Sequence, residues 1–264
     1  MKVFHGISPK RVMPRPMAVA HVGEGRLGHT RRRDRWWISP VAVALGLGVF
    51  VMYSTWAALT GDNYSSGPYL SPFYSPLIHL PGTTMSPALL VLWAPLGFRL
   101  SCYYYRKAYY RAFFLSPPAC AVSEPLRAYR GEAAILRWLP RLHRWFLYTS
   151  ILVLVVLWWD AAIAFDFNGR LGIGLGSIVL LLNAAFLTFF TFGCHALRSL
   201  VGGNQRCFDC SALGTARYRG WRIVSALKGK HPLWAWISLY SVGVADLYVR
   251  LLAMGVIHDP RLLF

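Results

Sequence analysis

The chain has 264 residues, 56% of them hydrophobic, 15% aromatic and only 14% charged, yet its formal net charge is +18. That balance excludes an ordinary soluble domain and reads as an all-α membrane protein that crosses the bilayer several times. The Lys and Arg fall in blocks between apolar runs rather than along one basic face, which argues for the lipid bilayer as a partner and against nucleic acid.

Residues 1–37 form a basic tail with nine Lys or Arg, including Arg31-Arg32-Arg33-Asp34-Arg35, and close on Trp36 and Trp37, rings suited to a membrane interface. The tail lacks the apolar core of a secretory signal, and five cysteines make an odd count, so a disulfide framework is not expected. His5, His21 and His29 have no Cys or carboxylate pattern around them and read as solvated.

Ile38 to Leu59 gives 22 residues without a charge, enough at ~1.5 Å per residue to cross a hydrocarbon core of roughly 30 Å. Residues 60–85 are rich in Pro, Gly, Ser and Tyr and contain no Lys or Arg, which places them outside. A second span runs over 86–112, opening at Ser86-Pro87 and ending in a dense Tyr/Arg band. The connection 103–144 holds eight Lys or Arg and belongs inside. Third and fourth spans cover 143–165 and 171–198, joined by a short outer turn with Arg170. Residues 196–231 carry seven Lys or Arg, inside again. Within them Ser211 to Lys230 mixes Leu213, Tyr218, Trp221 and Ile223 with basic residues, a pattern that fits a helix lying on the membrane surface and equally a solvated loop. The fifth span covers 232–257, and 258–264 is an outer tail. The domain organisation is thus a basic tail, 1–37, and a five-helix bundle, 38–257, with the N-terminus cytoplasmic by the positive-inside rule.

This topology brings Cys102, Cys120, His143, Cys194, His195, Cys207, Cys210 and His231 to the inner ends of the spans. Cys and His are the ligands of haem, iron–sulfur and zinc sites. A haem b would need two imidazoles, and any two of His143, His195 and His231 serve. A Rieske-type [2Fe–2S] centre needs two thiolates on one iron and two imidazoles on the other. Cys102, Cys120, His143 and His195 make the first such set, with Cys194 and His231 as alternates. Cys207-Phe208-Asp209-Cys210 has zinc spacing but no second CxxC to complete four ligands. Asp160 and Asp246 lie in the outer halves of spans three and five; Asp246 and Arg250, at i and i+4, suit a buried ion pair. Arg99, Tyr103, Tyr104, Trp145 and Tyr148 have the hydrogen-bonding and aromatic character of a quinone site, and equally that of a membrane belt. A cofactor-free transporter or scaffold would show broken helices or repeats around a midplane site, and the sequence has neither.

Several stretches carry a family resemblance: Gly67 to Pro76, Ser101 to Arg111, Ser116 to Val122, Leu142-His143-Arg144, Cys194-His195 and Asp246 to Val249. Together they resemble the membrane-anchor subunit of actinobacterial succinate dehydrogenase, most of all its mycobacterial single-anchor form, over roughly residues 35 to 260. The resemblance implies an inner-membrane anchor beneath a flavoprotein subunit and an iron–sulfur subunit on the cytoplasmic side. Electrons from succinate would pass through FAD and the soluble clusters to menaquinone, with a Rieske-type [2Fe–2S] cluster in the membrane in place of the haems of dihaem anchors. A higher oligomer of the complex stays open.

Overall fold

The computed structural model describes residues 28–79, 81–82, 84–123, 138–203 and 207–264. Most of the basic tail, with His5 and His21, and the middle of the second basic connection lie outside these residues. The described residues form eight helices: α1 Ile38–Thr60, α2 Pro87–Ser101, α3 Tyr103–Phe113, α4 Leu139–Ile163, α5 Leu175–Phe192, α6 His195–Gly202, α7 Ala212–Gly229 and α8 His231–Ala253. Four of them, α1, α4, α5 and α8, are long and apolar enough to cross a membrane, and α2 is a shorter apolar helix. Two small antiparallel sheets accompany them. One pairs β1 Ser65–Ser66 with β2 Tyr69–Leu70, and the other pairs β3 Gly172–Gly174 with β4 Arg261–Leu263.

The bundle is apolar outside as well as in. Leu45, Met52, Leu152 and Trp159 are 65 to 68% exposed, side chains that water would not tolerate in such numbers but lipid does. Inside, α5 packs chiefly on α8 and α4, and α2 on α4. The loop between α1 and α2 marks one end of the bundle, the loop end; Cys102, Cys194, His143 and His231 mark the other.

Two helices break where the sequence suggests continuity. The segment 86–112 is interrupted at Cys102, whose backbone is extended (φ −66°, ψ 129°). The break lets Tyr105 Oη donate to the Ala235 carbonyl of α8 at 2.6 Å, while Arg99 of α2 donates to the same phenol. The segment 171–198 starts as β3, because Gly172 and Gly174 pair with β4, and breaks again after Phe192 at Gly193 and Cys194 (φ −70°, ψ 142°). At their ends nearest the α1–α2 loop, α4 and α8 stop at Ile163 and Ala253.

The loop end is closed by the chain between α1 and α2, which folds into the bundle instead of lying over it. Ser71, Tyr74 and Ser75 are fully buried. Ser71 Oγ donates to Asp246, Ser75 Oγ donates to Asp160, and Tyr74 Oη donates to the Ala57 carbonyl at 2.6 Å. Arg250 donates to Asp246 at 2.9 Å and to the Ala57 carbonyl at 2.6 Å, and Tyr53 Oη donates to Asp246 at 2.6 Å. The i,i+4 pair read from the sequence is therefore buried and fully partnered, as a charge in a membrane bundle must be. Beside it, Tyr69 and Tyr248 both donate to Asp259, at 2.6 and 2.7 Å. Gly176 lets the Tyr69 ring lie against α5: a Cβ there would stand 2.6 Å from it.

Candidate functional site

At the opposite end, the two helix breaks each place a cysteine as the cap of a short helix: Cys102 before α3 and Cys194 before α6. The first peptide N–H groups of a helix favour negative charge on its cap, and Cys194 Sγ accepts from Ala196 N at 3.3 Å. Both thiols are buried in one cluster with Phe98, Tyr105, Leu147 and Phe190. Each faces an imidazole. His143, in the first turns of α4, brings Nε2 to 2.9 Å from Cys194 Sγ, and His231, the first residue of α8, brings Nε2 to 3.5 Å from Cys102 Sγ.

The state of His143 follows from its other nitrogen. Ser101 Oγ lies 2.6 Å from the Gly97 carbonyl and 3.0 Å from His143 Nδ1. A hydroxyl has one proton, and the carbonyl can only accept, so Ser101 donates to Gly97 and accepts from His143 Nδ1–H. The neutral ring then presents a lone pair at Nε2 toward Cys194, the form in which histidine binds metal. His231 lacks such a support: its Nδ1 is buried without a hydrogen-bond partner among the described residues.

The rings are packed in series. Phe98 stacks on His143 with centroids 4.6 Å apart, Phe190 stacks on His231 at 5.0 Å, and the two phenylalanines meet at 5.6 Å. On their far side lies a cavity of about 330 Å³, walled by Phe98, Phe190, Leu92, Leu154, Pro95 and Phe50 and reaching Arg99. The Arg99 guanidinium is held over Phe190 at 4.5 Å and donates to Ser238 Oγ at 3.1 Å.

Of the ligands expected from the sequence, the structure gathers Cys102 and His143 with both alternates, Cys194 and His231. Cys120 is exposed, with its carbonyl accepting from Arg32 at 2.9 Å, and His195 is exposed beside Cys194. Among the described residues, no three of His, Cys, Asp and Glu converge as ligands of a single metal ion; the four donors stand as two Cys–His pairs. Of the expected quinone residues only Arg99 lines the cavity. Tyr103 and Trp145 are 72% and 70% exposed, Tyr148 is exposed, and Tyr104 Oη accepts from Trp236 Nε1 at 2.8 Å. Cys207 and Cys210 are joined to each other: the CxxC spacing read from the sequence closes on itself as a local clip, a single bridge rather than a framework. The cavity had no signal in the sequence, because its walls come from five helices.

The family model of the actinobacterial succinate dehydrogenase subunit SdhC matches residues 38–255. Among solved structures, the Mycobacterium smegmatis Sdh1 complex in the apo form contains a chain 39% identical to this one, with a TM-score of 0.78, over 87% of this chain and 92% of that chain. No curated protein matches. A match of that length displaces the transporter reading. The bundle with its buried thiols and imidazoles belongs to the actinobacterial succinate dehydrogenase subunit SdhC family, and the chain is a membrane subunit of a succinate dehydrogenase complex.

Proposed function

We propose that this subunit anchors a flavoprotein subunit and an iron–sulfur subunit to the cytoplasmic face of the plasma membrane, holds a Rieske-type [2Fe–2S] centre and forms the menaquinone-reducing site. The observation that carries the reading is the convergence of Cys102, Cys194, His143 and His231 at one end of the bundle, the first three buried and His231 partly so. Two thiols and two imidazoles are the donor set of such a centre, which supplies electron transfer at a higher potential than an all-cysteine cluster. Ser101 holds His143 in the ligating tautomer, and the Nδ1 of His231, unpartnered among the described residues, marks a ring whose polar needs they do not meet.

The topology is five spans with the N-terminus inside. Helix α2 is about 22 Å long at ~1.5 Å per residue, and α3 extends it past the break. The quinone ring is placed at Arg99, the polar end of the cavity, with its isoprenoid tail along the apolar walls; a volume of about 330 Å³ suits a small-molecule site. Phe98 and Phe190 wall the cavity and touch the imidazoles, so they exclude water between the quinone and His143 and His231. Tyr103, Trp145 and Tyr148 then belong to the membrane-interface belt. FAD and the remaining iron–sulfur clusters reside on the partner subunits.

Haem b between two imidazoles is the competing reading, and the stacked Phe98 and Phe190 fill the space a macrocycle between His143 and His231 would take. The test is low-temperature electron paramagnetic resonance of the purified complex carrying single substitutions. Cys194→Ser and His231→Ala should abolish a Rieske-type signal that Cys120→Ser and His195→Ala leave intact. Survival of the signal in the first pair and loss in the second would overturn this ligand set, and haem absorption without the signal would overturn the centre.

A further inference from the structure

We infer that the loop end carries a binding site for the phosphate headgroup of one anionic phospholipid, built from Arg170 and Arg261. The inference rests on the membrane topology proposed above. Far apart in the sequence, these two residues line one pocket of about 330 Å³ together with Phe167, Asn168, Pro68 and Leu263.

Local structure explains how they meet. Asn168 and Gly169, with φ of 58° and 81°, form the two-residue turn that Asn-Gly favours between antiparallel strands. Phe167 and Arg170 exchange both backbone hydrogen bonds across it, at 2.9 and 3.3 Å, so their side chains share a face. Arg261 comes from β4, three residues before the final one, and its guanidinium lies over the Phe167 ring at 5.6 Å. Two cations therefore flank one aromatic floor.

Among the described residues no side-chain anion answers them. Asp62 and Asp246 pair with Arg250, Asp160 accepts from Ser75, Asp166 accepts from Gly169 N at 2.7 Å, and Asp259 accepts from Tyr69 and Tyr248. Among the described residues neither Arg170 nor Arg261 forms an ion pair, although like charges brought together call for one. Guanidinium forks match phosphate oxygens in geometry as well as charge.

The small sheet indicates which phosphate. Side chains alternate along a strand, and the register Gly172↔Leu263 and Ile173↔Leu262 puts Arg261 and Leu263 on one face. The other face carries Leu171, Ile173, Leu262 and Phe264, exposed at 70, 41, 69 and 75%. Four apolar side chains turned outward beside two arginines describe the boundary between hydrocarbon and headgroups. A lipid phosphate is at that depth; free phosphate would not require the apolar face.

The test uses the intact complex in nanodiscs of phosphatidylcholine with rising phosphatidylglycerol, read by native mass spectrometry; incorporation into the nanodisc is scored first and reports on the membrane reading by itself. The wild type should retain one phosphatidylglycerol. Retention should weaken by roughly fivefold in Arg170→Gln or Arg261→Gln and roughly twenty-five-fold in the double variant, with succinate oxidation unchanged. Equal retention by wild type and double variant would overturn the site. Displacement of the lipid by inorganic phosphate at matched ionic strength would overturn its assignment to a lipid.

Discussion

The two ends of the bundle treat buried polar groups in opposite ways. At the loop end every buried charge is answered: Arg250 has Asp246 and the Ala57 carbonyl, and Asp246 also has Tyr53 and Ser71. At the other end the donors are collected but unfinished, with thiols set against imidazoles and His231 Nδ1 buried alone. Low dielectric makes an unanswered polar group costly, so a fold that tolerates it at one end while avoiding it at the other separates a region built to hold from a region built to receive. Loss of a group should therefore cost stability at the loop end and cofactor chemistry at the other.

The largest effect is expected from Arg250→Met, which strands Asp246 in the bundle. It should lower stability by about 3–5 kcal/mol, seen as loss of assembled complex in detergent-solubilised thermal unfolding. Adding Asp246→Leu should recover most of that loss, because the unpaired charge goes with it.

Next comes Ser101→Ala. It frees the tautomer of His143 and should weaken retention of the proposed iron centre by about 10–100-fold, measured as iron lost to a chelator over time, with Ser101→Thr restoring it. Thermal stability should fall by only about 1–3 kcal/mol.

A smaller effect should appear with pH. Burial, and after it the hydrogen bond to Asp259, pushes Tyr69 up to about 12. An unfolded tyrosine ionises near ~10, so Tyr69 contributes stability that is complete below ~pH 10 and is lost as pH rises toward about 12. Tyrosinate absorbance on alkaline titration checks this, with Tyr69→Phe removing the late component.

The smallest effect belongs to Cys207→Ser with Cys210→Ser. Both residues are exposed, and the bridge closes a short local loop, so thermal stability should change by less than about 0.5 kcal/mol and the iron signal not at all.

Four of the five expected spans were legible, as α1, α4, α5 and α8, because long uncharged runs suit a bilayer, and the loop-end ion pair was legible from the i,i+4 spacing of Asp246 and Arg250. The burial of the 60–85 loop was not read, although the signal was present: two aspartates in outer half-spans need donors, and Ser71, Ser75 and Tyr74 are the nearby hydroxyls. At the candidate site, the sequence ranked Cys120 and His195 ahead of Cys194 and His231, whereas the structure leaves Cys120 and His195 exposed and turns Cys194 and His231 inward. That ranking turns on the helix breaks at Cys102 and Cys194. They are tertiary features, set by contacts such as Tyr105 to Ala235 that local pattern does not contain. The same holds for the Arg170–Arg261 pocket, which depends on β3 pairing with β4 across the length of α5 and α8.

The most direct measurement is iron, acid-labile sulfide and haem in the complex purified through a tag on this chain, compared with the same complex carrying Cys102→Ser and Cys194→Ser. Two irons and two sulfides more in the wild type, with no haem in either, is the result expected of a [2Fe–2S] centre on these residues. Equal iron and sulfide in the two preparations, or a haem in the wild type, would contradict it.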